Sequence, residues 1–146
     1  MFEHQYLFRA LLVLSCGYAL WRGRGEERIV ALACILAVVA TKFVVSPLSG
    51  RYAGVEIGLL LIDLTMLSAF VAIALRSERF WPLWIAGLQL TGSSAHLMKQ
   101  LSPDLLPKAY GAAAALWSYP ILLILLIGTW RGYRRRQEKH SPAAPA

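Results

Sequence analysis

Acidic residues are scarce in this 146-residue chain, with eight Asp and Glu against fifteen Lys and Arg, and charged residues amount to only 16%. Soluble domains usually carry about 25% charged residues, so a charge-covered surface around one solvated core is a poor description. Cysteine is nearly absent. Cys16 and Cys34 have no CxxC or metal-ligand spacing, which removes a disulfide framework and a zinc site. Each falls inside an apolar block and reads as a small buried hydrophobe. A cleavable leader is not expected either. Glu3 stands near the start, no basic residue precedes Arg9, and no small-x-small site closes the first apolar block. There is no internal repeat, and an odd number of apolar blocks argues against an inverted duplication.

Apolar residues are what the chain has in excess. They make up 58% of it, against about 45–50% in average domains, and they come in long blocks. The length is that of one domain. An all-α integral membrane bundle follows, with five spans over about residues 5–21, 29–45, 55–75, 81–98 and 109–130. The connectors fit this parse. "RGRGEER" is a short charged hairpin, "SPLSGRYAG" holds Pro47 and two glycines, "RSERF" is a tight third loop, and "KQLSPDLLPK" carries Pro103 and Pro107. Residues 1–130 then form the transmembrane domain and 131–146 a basic cytoplasmic tail, whose end "HSPAAPA" is expected to be disordered.

The net charge of +7 could point to nucleic acid in a soluble protein. Here the basic residues sit between the apolar blocks and in the tail, so orientation in a lipid bilayer explains them better. Arg22, Arg24, Arg28, Arg76, Arg79, Arg131, Arg134, Arg135, Arg136 and Lys139 fall on one side. Arg9, Lys42, Arg51, Lys99 and Lys108 fall on the other. The positive-inside rule places the N-terminus out and the C-terminus in. Trp21, Trp81, Trp84 and Trp130 then mark the cytoplasmic interface, and Tyr6, Tyr52 and Tyr110 the outer one. The tail "RGYRRRQEKH" is a surface for anionic lipid, and nucleic acid is an unlikely partner.

Asp63 lies within the third span, in "GLLLIDLTMLSAF". Glu56, two helical turns earlier, points the same way. The fourth span carries a matching polar stripe of Gln89, Gly92, Ser93 and His96 at i, i+3, i+4 and i+7. The short third loop makes these spans antiparallel neighbours, with Asp63 facing Gly92 and Ser93 and Glu56 facing His96. Ser118 and Tyr119 of the fifth span lie at similar depth. There Pro120 leaves the carbonyl of Leu116 without its usual donor. Gly54 and Gly58 form a GxxxG, and Gly92 permits close helix approach.

Two readings of the polar seam stand side by side. An Asp at mid-span costs about 2.5–3.5 kcal/mol to insert. About a dozen Leu, Ile, Val and Phe residues in the same span return roughly 0.3–0.6 kcal/mol each. Insertion therefore does not demand a function. Asp63 can be interhelical glue bonded to Ser93 or Gln89, or it can be a proton, ion or ligand site. His96 is the sole histidine in a span and has no clustered second ligand, so no metal, haem or other cofactor is expected. "GSSAH" resembles the Gly-x-Ser-Gly of rhomboid intramembrane proteases, but Ala95 replaces the last glycine and no other span offers a histidine base.

"RFWPLWIAGLQL" and "LWSYPILLILLIGTWR" resemble stretches of small uncharacterised polytopic inner-membrane proteins of alphaproteobacteria, over the third to fifth spans. The resemblance implies a bacterial cytoplasmic membrane and carries no chemistry with it. The expected protein is small and non-enzymatic, an accessory or assembling subunit, with a homo-oligomer or larger membrane complex as its setting. A proton- or ion-coupled carrier using Asp63 is the alternative.

Overall fold

The computed structural model describes residues 2–45, 52–101 and 107–141, and side chains over 6–45, 57–98, 101 and 116–141. The fold is all-helical among these residues: α1 (Phe2–Arg22), α2 (Gly25–Val45), α3 (Tyr52–Arg76), α4 (Trp81–Leu101) and α5 (Pro107–His140). The helices run further than the apolar blocks. α5 passes through Pro120 and continues to His140, so the first ten residues of the basic tail are helical. α1, α2 and α4 each have 21 residues, about 31 Å at 1.5 Å per residue.

Local chemistry sets the ends. Only Gly23 and Arg24 separate α1 from α2. Gly23 N–H still donates to the Ala19 carbonyl at 2.9 Å, closing α1. The Arg24 N–H donates to Oε2 of Glu27 at 3.1 Å, which satisfies a free donor at the start of α2 as a capping-box glutamate does. Pro82 stands at the second position of α4, where the missing N–H costs nothing, and Pro107 opens α5.

Packing follows the chain around a ring: α1 against α2, α2 against α3, α3 against α4, α4 against α5, and α5 back against α1. A smaller α2–α5 contact crosses the middle. Short connections make consecutive helices antiparallel, so the closing α1–α5 pair is parallel. One end gathers the basic connectors. Arg79 pairs with the buried Glu27, Ser77 Oγ donates to Glu26 at 2.9 Å, Arg22 donates to the Tyr133 hydroxyl at 2.9 Å, and Arg136 donates to the Arg22 carbonyl at 2.7 Å. The two arginine-bearing hairpins and the helical tail thus meet at what we term the basic end.

The apolar core lies toward that end, built from Ala19, Val30, Ala31, Phe70, Ile85, Leu122 and Leu125. Small residues let the helices close up. A methyl on Gly128 would come within 3.1 Å of the Trp81 indole, and one on Gly58 within 2.7 Å of Val44, so α4–α5 and α2–α3 meet at glycines. Gly54, the other half of the GxxxG, lies outside the residues whose side-chain surroundings are described. Cys16 and Cys34 are free and buried, and their side chains are neighbours across α1–α2. Mild oxidation is expected to join them, leaving neither thiol open to alkylation in mass spectra. Two thiols that stay independently alkylated would place α1 and α2 in another register.

Much of the outer surface is apolar. Leu7, Leu14, Leu36, Phe43, Leu61, Leu75 and Leu97 are among the exposed large hydrophobics. Two helical segments, Gly25–Val45 and Ile57–Arg76, are long and apolar enough to cross a membrane by length and composition. Only 17% and 6% of their most apolar windows lie inside the bundle, unlike the core helix of a soluble protein. α1 and α4 are more polar along their length. α1 begins with Glu3, His4, Gln5 and Arg9, and α4 carries Gln89, Thr91, Ser93, Ser94 and His96.

Candidate functional site

The polar stripes of α3 and α4 do face each other. Asp63 is the centre. Its Oδ1 accepts from Nε2 of Gln89 at 3.1 Å, and its Oδ2 lies 2.9 Å from Nε2 of His96. Gln89 also leans on the Asp63 carbonyl at 3.4 Å. Gln89 and His96 are seven residues apart, so they reach Asp63 from one turn on either side of Gly92. Gln89 is one of the two partners that the sequence reading offered Asp63, and His96 is a partner that it did not offer. Ser93 is on a neighbouring face, one residue round from Gly92. It is buried, and its Oγ has no hydrogen-bond partner among the described residues. His96 pairs with Asp63, and Glu56, read as its neighbour, has its side chain outside the described residues. Gly92 admits α5: the nearest atom to a methyl placed there is Cβ of Trp117, at 3.9 Å.

Both Asp63 and His96 are partly exposed, at 25% and 21% of their side chains. Asp63 lines two cavities, and His96 lines the smaller of them. A cavity of about 770 Å³ lies within the ring and takes lining from all five helices, Asp63, Gln89, Ser118 and Tyr119 among them. A second cavity of about 250 Å³ lies alongside and is bounded by Asp63, Gln89, Gly92, His96, Trp117 and Ser118. The carboxylate cluster is thus part of the wall of both. Ser118 borders both cavities, and the Tyr119 ring meets Phe8 of α1 edge-on at 5.7 Å. Pro120 follows directly inside α5, and it has no N–H to give the Leu116 carbonyl.

The large cavity is graded along the bundle axis. From the basic end, at about 1.5 Å per residue, Phe70 lies ~9 Å up, Met66 and Leu12 ~15 Å, Asp63 and Arg9 ~20 Å, and Lys42 ~26 Å. The deep part is apolar, with Leu12, Met66, Phe70 and Leu122 on its walls. The part remote from the basic end carries Arg9, Thr41, Lys42 and Asp63. Arg9 and Lys42 were read from sequence as charges of the outer side and not as site residues. An arginine inside an apolar block was the available signal. Among the described residues, no three His, Cys, Asp or Glu side chains come together as a metal site would require.

No family model matches this chain, and no curated protein or solved structure is significantly similar to it.

Proposed function

We propose that this chain is a small non-enzymatic membrane protein of the bacterial inner membrane, with five spans, the basic end in the cytoplasm and both the N-terminus and the cavity mouth facing outward. In this reading it serves as an accessory or assembling subunit. Its Asp63–Gln89–His96 cluster clamps α3 to α4 and is at the same time a polar binding site reached from the outer side. One observation carries this: a carboxylate with two side-chain partners forms part of the wall of a cavity lined by all five helices. Ionisable groups at such depth mark sites by default. The apolar girdle and the basic end support the location. Anionic lipid is the expected partner of the arginine-rich end of α5.

A second reading, a proton- or ion-coupled carrier, is favoured by the access of the large cavity to Asp63. The α2–α5 contact and the core beneath Phe70 close the path toward the basic end, so transport would need a second conformation.

Membrane-impermeant thiol labelling of Asp63→Cys in lipid nanodiscs, in a background free of native cysteine, tests the site. The new thiol is expected to react, because Asp63 lines both cavities. A thiol that stays unreactive would leave a sealed clamp and remove the binding site. Membrane-impermeant thiol labelling of Ser77→Cys, in a background free of native cysteine, tests the orientation. Labelling from the cytoplasmic face alone is expected, and labelling from outside would invert the reading.

A further inference from the structure

The grading of the large cavity points to its ligand: we infer that it takes a single-chain anionic amphiphile, head toward Arg9 and Lys42 and chain directed down against Leu12, Met66, Phe70 and Leu122. The inference deepens the reading of the cavity as an outward-facing site and rests on it.

Charge selects the head. Arg9 and Lys42 line the part of the cavity remote from the basic end, and neither has an ion-pair partner among the described residues. The one carboxylate described on the wall, Asp63, already has both oxygens engaged, by Gln89 and His96. Two unpaired cations against one bonded carboxylate repel an entering metal or organic cation and attract an anion. Lysine and arginine hold a carboxylate or phosphate monoester through charge-assisted hydrogen bonds. Thr41 adds a hydroxyl at the same level.

Volume and wall chemistry select the body. A space of about 770 Å³ is of the size that encloses a small-molecule ligand, usually about 300–1,000 Å³. Its lower part offers aliphatic, thioether and aromatic walls. A small inorganic anion would leave that part unfilled. A neutral chain would leave the cations unused. An amphiphile satisfies both halves, and a molecule from the outer leaflet arrives with its head at the correct level. Methionine and phenylalanine at 66 and 70 suit a flexible chain of variable shape.

The test uses the full chain in phosphatidylcholine nanodiscs and a photoreactive long-chain fatty acid, with adducts mapped by mass spectrometry. Adducts are expected on α1, α2 and α3 at Leu12, Val38 and Met66, and excess oleate should compete while oleyl alcohol should not. Lysophosphatidate in place of oleate separates a phosphate-headed ligand from a carboxylate-headed one, and competition by either supports the assignment. Arg9→Gln with Lys42→Gln should weaken the cavity labelling about tenfold, the size expected from losing two partly solvated ion pairs. Labelling of the lipid-facing Leu36 and Leu61 should not change, which also reports that the variant is folded. Ala37→Trp, which fills the cavity, should remove the cavity adducts alone. Equal competition by the alcohol, or cavity labelling indifferent to both charges, would overturn the inference. The thiol-labelling result keeps the two levels apart. A correctly oriented protein with an unlabelled cavity sinks the ligand assignment and leaves the membrane reading standing.

Discussion

Gly23→Ala is expected to destabilise the fold by about 2–3 kcal/mol, near the upper end of what overpacking usually costs. Its neighbour-but-one, Gly25→Ala, should be neutral or stabilising by about 0.4–1 kcal/mol. The two glycines flank Arg24 in the same hairpin and differ only in surroundings. A methyl on Gly23 would lie 2.2 Å from the Ala19 carbonyl oxygen and 2.8 Å from Cβ of Glu27, whereas nothing stands within 4 Å of one on Gly25. The first clash is with backbone, so no rotamer change relieves it. Relief requires opening the Gly23–Ala19 hydrogen bond or driving α2 away from α1.

Moving α2 has further consequences. Glu27 is 1% exposed. One of its oxygens caps Arg24, and the other holds Arg79 from the α3–α4 connection. A methyl on Gly132 of α5 would lie 3.2 Å from both Glu27 Oε1 and Arg79 Nη1, so the pair is wedged against α5 as well. Arg79 is 42% exposed and can find water if the pair opens. Glu27 cannot, and a buried group left unpartnered costs about 1–3 kcal/mol. Unfolding midpoints of the two alanine variants in the same detergent decide the matter. Equal stability would mean that the α1–α2 corner is built differently.

The architecture was legible where physics is one-dimensional. Apolar blocks punctuated by Pro, Gly and Arg specify helices and their order, and the arginines of the two hairpins and the tail do meet at one end through Arg22, Arg79 and Arg136. The helices outrun the apolar blocks because helix persists beyond the apolar stretch. The chain from Arg131 to His140 stays helical on helix-favouring Arg, Gln, Glu and Lys. The facing of Asp63 and the α4 stripe was also readable, since seven-residue spacing and a tight loop leave few ways to pack two helices. Gln89 was one of the two partners read for Asp63, while His96 was not read as one. Length separates them: Gln89 and His96 reach across a turn and Ser93 does not. Arg9 and Lys42 escaped notice because a ring of five helices brings α1 and α2 to the same cavity as α3, and pairwise reasoning along the chain does not see a ring close. Among the described residues two segments meet the length and apolarity of a crossing helix, and the five spans belong to the proposed reading.

Removing the whole polar cluster is expected to harm the fold less than removing its centre. Asp63→Ala strands the Gln89 amide, which is 9% exposed, and deprives His96 of its carboxylate. A loss of about 1–2 kcal/mol follows, between the cost of a buried unpaired group and the average of about 0.6 kcal/mol for interhelical bonds in bilayers. Asp63→Leu combined with Gln89→Leu and His96→Leu removes the three side chains together, so that none of them strands another. Apolar replacements of similar size often match or exceed a buried polar cluster in stability. The triple variant should therefore recover most of what the single one loses, a non-additivity expected of side chains in direct contact. Reversible unfolding of the wild type, the single and the triple variants in one lipid composition measures it. A triple variant less stable than Asp63→Ala would mean that the polar seam itself specifies how α3 and α4 pack, as a buried Asn fixes register in a coiled coil. A stable triple variant separates the clamp from the site: it keeps the bundle and lacks the carboxylate, so proton uptake or ion flux lost in it belongs to Asp63 chemistry and not to unfolding.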